Sequence, residues 1–126
     1  MNRQPAILIV DDDPDICAML EFYFENLEYA VHVARRGAAV MRIARDVRPD
    51  VILLDVRLPD SDGFTVARTL RADRYTQHIP IIFLTGYNEP SDRVEALEIG
   101  ADDFVAKPFD AQELRLRIER VLKRER

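Results

Sequence analysis

Three short runs of consecutive apolar residues constrain the fold of this chain more than any other feature. They occupy residues 7–10, 51–54 and 81–84, and none of them alternates apolar with polar residues. A strand that helices cover on both faces reads as such a continuous apolar run, as in parallel sheets. The runs therefore predict buried parallel strands. Two weaker runs, at 30–34 and 103–106, predict the edge strands of the same sheet.

Segments with helical spacing of apolar residues separate these runs, and this alternation is typical of βα units. Four of the predicted helices begin near Pro14, Asp62, Pro90 and Asp110, and the second follows Gly37 and carries Val40, Ile43, Ala44 and Val47. Asp13 is the expected N-cap of the first helix, since Pro14 suits the first helical position. The fourth helix is expected to carry Val94 and Leu97, and Gly100 to end it. In the first helix we expect Cys17 to lie one residue outside the buried stripe. That stripe is expected to consist of Ile16, Met19, Leu20, Tyr23, Phe24 and Leu27.

The length of 126 residues predicts one domain over 1–126, with a core at 6–122 and a charged tail or linker start at 123–126. A single cysteine excludes an internal disulfide and suits a reducing compartment. No apolar stretch approaches the ~20 residues needed to span a bilayer, and the first five residues do not resemble a signal peptide. We therefore expect a cytoplasmic protein without membrane contact. The net charge of −5 argues against direct binding of nucleic acid.

Polar side chains follow the predicted strands where each strand ends. Asp11 and Asp12 follow the first apolar run, Asp55 follows the second, Thr85 ends the third, and Lys107 follows the last predicted strand. Ligands of open α/β sheets bind outside the carboxyl ends of the strands. Carboxylates beside a hydroxyl and a cation would hold a divalent metal and a phosphoryl group there.

Four sequence pieces, in this order and spacing, resemble the receiver domain of bacterial two-component response regulators. They are Ile-Val-Asp-Asp-Asp-Pro at 9–14, Leu-Leu-Asp-Val-Arg-Leu-Pro-Asp-Ser-Asp-Gly at 53–63, Leu-Thr-Gly at 84–86 and Gly-Ala-Asp-Asp-Phe-Val-Ala-Lys-Pro-Phe at 100–109. The resemblance covers essentially the whole chain. It implies a three-layer, flavodoxin-like α/β sandwich with a five-stranded parallel sheet in the order 2-1-3-4-5 and five helices.

The resemblance also implies a metal-dependent phosphorylation site. Asp55 matches the phosphoacceptor, Asp12 the acid that ligates the metal directly, and Asp11 its partner, which often acts through water. The backbone carbonyl of Arg57 would supply a further oxygen. The expected metal is Mg²⁺, for which Mn²⁺ can substitute. Arg57 and Tyr87 flank the pocket, and we expect them to influence the lifetime of the phosphoryl group.

Three further positions match the parts of the family that respond to phosphate. Thr85 and Lys107 correspond to the hydroxyl and ammonium that contact the phosphoryl oxygens, and a cis peptide bond is implied between Lys107 and Pro108. Thr85 and Phe104 correspond to the pair of switch residues. The phosphoryl donor would be a sensor histidine kinase or a phosphotransfer protein. The chain would then be a regulator and not an enzyme, promoting only its own phosphorylation and dephosphorylation.

Charged residues late in the chain resemble the subclass of response regulators fused to winged-helix DNA-binding domains. In that subclass the face of helix 4, strand 5 and helix 5 pairs across a symmetric dimer. A phosphorylation-dependent homodimer is therefore expected, with a solvated charged face as the alternative. The candidate interface residues are Arg93, Asp103, Glu113, Leu116 and Arg117.

Two other functions remain open from the sequence. Asp11 and Asp13 have the spacing of the nucleophile and acid in haloacid-dehalogenase phosphatases, but that hypothesis leaves Asp55 and Thr85 unexplained. The second alternative is a pseudo-receiver, a protein-interaction module that never carries phosphate. Binding of Mg²⁺ and labelling of Asp55 would distinguish a receiver from both.

Overall fold

The computed structural model describes residues 4–86 and 89–124. Five parallel strands form one sheet in the order β2-β1-β3-β4-β5, as predicted. The strands are β1 (Ala6–Val10), β2 (Ala30–Ala34), β3 (Val51–Asp55), β4 (Ile81–Thr85) and β5 (Asp103–Ala106). The three apolar runs are the central strands β1, β3 and β4, which are buried along their whole length.

Five α-helices connect or follow these strands, and a 3-10 turn at Gly37–Ala39 precedes the second. Among the described residues no helix is both long enough and apolar enough to cross a membrane. The helices are α1 (Pro14–Asn26), α2 (Val40–Val47), α3 (Gly63–Ala72), α4 (Pro90–Ile99) and α5 (Ala111–Arg124).

The sheet separates two apolar clusters, which explains the continuous apolar runs. Ile7 and Ile9 of β1 belong to the cluster under α1 and α5, whereas Leu8 and Val10 belong to the cluster under α2, α3 and α4. Because successive side chains of a strand point to opposite faces, every residue of the apolar runs at 7–10, 51–54 and 81–84 enters one of the two clusters. The result is the predicted sandwich of three layers.

The N-terminus of α1 agrees with the sequence prediction, but its buried stripe agrees only at Leu20 and Phe24. The Asp13 carboxylate accepts hydrogen bonds from the backbone N–H groups of Asp15 and Ile16. The buried residues of α1 are Cys17, Leu20 and Phe24. Met19 and Leu27, which were expected inside, are 42% and 43% exposed. The buried stripe runs through Cys17 and the positions three and seven residues after it. Apolar spacing alone did not distinguish this face of the helix from the adjacent one.

The prediction for α4 was wrong in the same way. Val94 and Leu97 are 55% and 75% exposed, and Ala96 is the residue of this helix that is buried. Ala96 and the partly buried Ile99 pack into the apolar cluster on this side of the sheet, so the inward face of α4 differs from the one that carries Val94 and Leu97. Gly100 ends α4 in the left-handed conformation, with φ of 88°, as its position predicted.

Candidate functional site

Three carboxylates meet at the carboxyl edge of the sheet. The strands β1 and β3 are parallel neighbours with Val10 opposite Leu54, so the residues that follow them lie side by side. One ligand oxygen each from Asp11, Asp12 and Asp55 lies within 4.8 Å of the others. Asp11 and Asp55 are buried and Asp12 is exposed, which gives the cluster one side open to water.

Lys107 brings a cation into this cluster from β5, on the other side of β4. Its Nζ lies 2.8 Å from Asp11 Oδ2 and 3.3 Å from Asp55 Oδ2. Burial lowers the pKa of Lys107, but the hydrogen bond to Asp11 and the charge of Asp55 outweigh it and raise that pKa. The ammonium therefore stays charged and partly neutralises the two buried acids. The peptide bond between Lys107 and Pro108 is cis.

The surroundings of Asp55 shift the pKa of its carboxyl group upward. Burial raises its pKa first, and the neighbouring charge of Asp11 raises it further. The charge of Lys107 and the backbone N–H of Arg57, which lies 3.3 Å from Asp55 Oδ1, act in the opposite direction. Because the net change in pKa is upward, ionised Asp55 is poorly stabilised here and would gain from another cation.

Asp11 is held by contacts that the sequence did not reveal. Its Oδ1 accepts the backbone N–H of Asp13 at 2.9 Å, while Oδ2 faces Lys107. The thiol of Cys17 donates to the Asp11 carbonyl oxygen at 3.2 Å. Both carboxylate oxygens of Asp11 therefore already have partners within the chain, whereas Asp12 is exposed.

Thr85 and Phe104 occupy neighbouring strands next to the cluster. Thr85 ends β4, is fully buried, and accepts the backbone N–H of Lys107 on its carbonyl oxygen at 2.7 Å. Phe104 pairs with Phe83 in register. The guanidinium of Arg93 on α4 lies 5.2 Å from the centre of the Phe104 ring. Tyr87, the other expected pocket residue, lies outside the described residues.

Gly63 is a site residue that sequence reasoning missed. Its N–H donates to the Val56 carbonyl at 2.6 Å, and a Cβ here would overlap the carbonyl oxygen of Asp55. Only glycine lets α3 begin this close to the end of β3. The signal was present in the sequence as the Asp62-Gly63 pair, in which Asp62 is the N-cap of α3.

The donor set fits Mg²⁺. Carboxylate oxygens are hard ligands, and Mg²⁺ is usually bound by one or two carboxylates, several waters and phosphate oxygens. The structure offers one exposed and two buried carboxylates with an open side. Burial, and after it the charge of Asp11, raises the pKa of Asp55, so a further cation beside this carboxylate would stabilise its ionised form.

The face of α4, β5 and α5 carries all five candidate interface residues. Arg117 binds both oxygens of Asp103 at 2.9 Å and Glu113 at 3.0 Å within the same chain. Leu116 is 54% exposed. A groove of about 600 Å³ runs along this face and is lined by Arg93, Leu97, Asp103, Phe104, Glu113 and Arg117.

A family model described as the response regulator receiver domain matches residues 7–119. The DNA-binding dual master transcriptional regulator RpaA of Synechocystis sp. is 40% identical over 120 residues, which is 95% of this chain and 50% of that protein. The chain thus spans about half the length of the curated relatives that it matches.

Two solved structures are similar in both sequence and fold. The BeF3-activated N-terminal receiver domain of Klebsiella pneumoniae RstA is 30% identical with a TM-score of 0.86, and the match covers 94% of this chain and 98% of that one. The receiver domain of the sensor histidine kinase PA1611 from Pseudomonas aeruginosa PAO1, with a magnesium ion coordinated in its active site cleft, is 35% identical. Its TM-score is also 0.86, with 95% and 98% covered.

These matches decide between the open alternatives. The receiver domain family accounts for residues 7–119, and with them for Asp55 and Thr85, which the haloacid-dehalogenase hypothesis leaves unexplained. The acidic cluster is present at the sheet edge, so the pseudo-receiver hypothesis is not favoured either. The chain belongs to the response regulator receiver domain family of two-component signalling.

Proposed function

We propose that Asp55 accepts a phosphoryl group from a phosphohistidine of a sensor histidine kinase or a phosphotransfer protein, with Mg²⁺ bound beside it. One observation carries this proposal: Asp55 shares a 4.8 Å cluster with Asp11 and Asp12 and is ion-paired to Lys107. Asp12 would ligate the metal directly and Asp11 through water, and the Arg57 carbonyl would supply another oxygen. The metal neutralises negative charge as the phosphoryl group arrives.

The chain's own residues place and stabilise the transferred group. A carboxylate oxygen of Asp55 attacks phosphorus, the P–N bond to histidine breaks, and the electron pair of that bond leaves with the imidazole. Lys107 gives a fixed positive charge beside the acceptor, because its ammonium already contacts Asp55 Oδ2 at 3.3 Å. The buried Thr85 hydroxyl would donate to a phosphoryl oxygen. Transfer of this kind depends mainly on positioning and charge. Because the phosphoryl group ends on a residue of the chain itself, we regard the protein as a phosphoacceptor and not as an enzyme that acts on other substrates.

Labelling with acetyl phosphate tests this function directly. In the presence of Mg²⁺ the wild-type protein gains one phosphoryl mass, and peptide mapping places it on Asp55. Asp55→Asn gains none, whereas Asp46→Asn, which removes an exposed acid from α2, is labelled like the wild type. Labelling at another residue, or labelling that does not require a divalent cation, contradicts the assignment. A protein that binds neither Mg²⁺ nor BeF3 is a pseudo-receiver.

We further propose that phosphorylation changes the face of α4, β5 and α5. Movement of Thr85 toward the phosphoryl group would free space for Phe104, whose ring now lies partly exposed beside Arg93. Such a change is a shift between two states, so it requires that the phosphoryl group interacts better with one of them. Exposed Val94, Leu97 and Leu116 give this face an apolar surface that a partner can cover.

The partner on that face is a second copy of the chain. Arg93, Asp103, Glu113 and Arg117 would exchange contacts within the chain for contacts across a symmetric interface. Because these ions already have partners in the monomer, and exposed ion pairs contribute only ~0–1 kcal/mol each, the dimer is weak without phosphate. Sedimentation with and without BeF3 and Mg²⁺ tests it, and an unchanged mass rejects it.

The remaining expectations concern the whole protein. The chain spans half the length of relatives named as transcriptional regulators, which is compatible with a single receiver domain over 1–126 that has a charged tail or linker start at 123–126. The receiver part itself would not contact nucleic acid, given a net charge of −5. We place the protein in the cytoplasm, where kinase and target DNA are both accessible.

A further inference from the structure

We propose that Asp60 is a positioning residue for the metal site, because its carboxylate fixes the loop that carries Arg57. This inference rests on the proposed function. Asp60 lies at the tip of the loop between β3 and α3, five residues after Asp55. Its Oδ1 accepts the backbone N–H of Gly37 at 2.8 Å, and its Oδ2 accepts that of Ala38 at 2.9 Å.

The two hydrogen bonds satisfy a local need of the chain at residues 37 and 38. The 3-10 turn at Gly37–Ala39 begins after Arg36, whose side chain makes no capping hydrogen bond. The first N–H groups of such a turn require acceptors from elsewhere. Asp60 provides both acceptors from 22 and 23 residues away, so a helix-capping interaction here joins two loops.

The base of the same loop is fixed by other contacts. Arg57 and Asp62 form an antiparallel bridge, and the Leu58 N–H donates to the Ser61 carbonyl at 3.1 Å. Arg57 is therefore held between the bridge and Asp55, to which its N–H donates. Without Asp60 the tip of the loop would lose two hydrogen bonds to the backbone at residues 37 and 38, and the Arg57 carbonyl would be less firmly directed.

Gly37 shows that the contact surface is closely fitted. A Cβ at this position would lie 3.0 Å from Val66 Cγ2, 3.2 Å from Ser61 Cβ and 3.5 Å from Asp60 Oδ1. Alanine at residue 37 would thus require Val66 of α3 and Ser61 of the loop to move by a few tenths of an ångström. This substitution disturbs the contact with Asp60 from the side of residue 37, and it changes no charge.

The experiment compares Mg²⁺ binding, measured by isothermal titration calorimetry, in the wild type, Asp60→Ala and Gly37→Ala. We expect the dissociation constant for Mg²⁺ to rise about three- to tenfold in both variants. That is less than the ~10–100-fold produced by removing a group bonded directly to a metal ligand. The effects of the two substitutions should not add in the double variant, because both act on the same contact between Asp60 and the backbone at residues 37 and 38.

A kinetic measurement separates positioning from general destabilisation. In labelling with acetyl phosphate, the Mg²⁺ concentration for half-maximal rate should rise, while the rate at saturating Mg²⁺ stays close to that of the wild type. Asp60→Asn, which keeps one acceptor oxygen, should lie between the wild type and Asp60→Ala. Thermal unfolding monitored by circular dichroism identifies any variant that does not fold. If Asp60→Ala does not fold, Gly37→Ala and Asp60→Asn are compared with the wild type instead.

Asp46→Ala is the matched control, since it removes an exposed acid that lies outside the loop. An equal loss of Mg²⁺ affinity in Asp46→Ala would mean that only net charge matters, and this would overturn the inference. Unchanged affinity in both Asp60→Ala and Gly37→Ala would overturn it as well. If the wild type itself fails to bind Mg²⁺, the proposed function fails instead, so the two failures are distinguishable.

Discussion

Replacing Lys107 with methionine should destabilise the metal-free protein much more than the Mg²⁺-bound protein. The substitution keeps a long unbranched side chain but removes the cation that contacts Asp11 and Asp55. Both acids are buried, with exposed fractions of 0% and 5%. The two carboxylates would then repel each other without a compensating charge until a divalent cation enters the cluster.

The size of the effect follows from the two distances. At an effective dielectric constant near 20, ion pairs at 2.8 and 3.3 Å correspond to about 6 and 5 kcal/mol of gross attraction. Most of this is offset because the ammonium loses water on folding. Breaking a buried pair from one side usually destabilises by about 3–5 kcal/mol. The Lys107 side chain is 18% exposed, so we expect a loss at the lower end, ~3 kcal/mol.

Urea unfolding at neutral pH, in EDTA and in saturating Mg²⁺, measures this difference. The loss in the free energy of unfolding should shrink to ~1 kcal/mol or less with Mg²⁺, since the dication takes over the neutralising role. Lys123→Met, at an exposed position of α5, is the control and should change little in either condition. An equal loss for Lys107→Met with and without Mg²⁺ would show that the lysine acts by packing and not by charge.

Other predictions concern the pKa of Asp55, the packing at Gly63 and the exposed face of α4, β5 and α5. Burial and the nearby charge of Asp11 raise the pKa of Asp55 above 3.8 in the fold, so the contribution of Asp55 to the unfolding free energy of the metal-free protein should fall as pH rises from ~3.8 through the folded pKa. Asp55→Asn should remove this slope in a pH series of urea titrations, and an identical slope in both proteins refutes the idea. Gly63→Ala should lower the unfolding free energy by about 1–3 kcal/mol through overpacking, whereas Gly86→Ala, with nothing within 4 Å of the new Cβ, serves as the neutral comparison in thermal unfolding. Leu97→Ser should weaken the BeF3-induced dimer about tenfold in sedimentation, while Phe22→Ser, on α1 and also exposed, should leave its affinity unchanged.

The sheet could be predicted from sequence because its signal is local. Each apolar run at 7–10, 51–54 and 81–84 is long enough to define a strand covered on both faces, and the alternation with helical segments fixes the parallel connection. The strand-end rule then brings Asp11, Asp12, Asp55 and Lys107 to one edge without knowledge of the packing.

The helix faces and the loop contacts could not be predicted in the same way. In α1, apolar side chains surround much of the helix, so spacing alone could not show that Cys17 is inside and Met19 outside. In α4, burial of small Ala96 reversed the expectation for Val94 and Leu97. The contact of Asp60 with residue 37 joins loops more than 20 residues apart, and no local pattern encodes such a pairing.

The environment of Cys17 gives the protein an internal reporter of its own opening. The thiol is buried and donates a hydrogen bond to the Asp11 carbonyl oxygen. Burial raises the pKa of Cys17 to about 11. Alkylating reagents attack the thiolate, so the closed protein resists them and modification proceeds through molecules in which α1 has locally detached. The rate of alkylation therefore measures how often the helix next to the acidic cluster separates from the sheet, without any label having to be engineered into the chain.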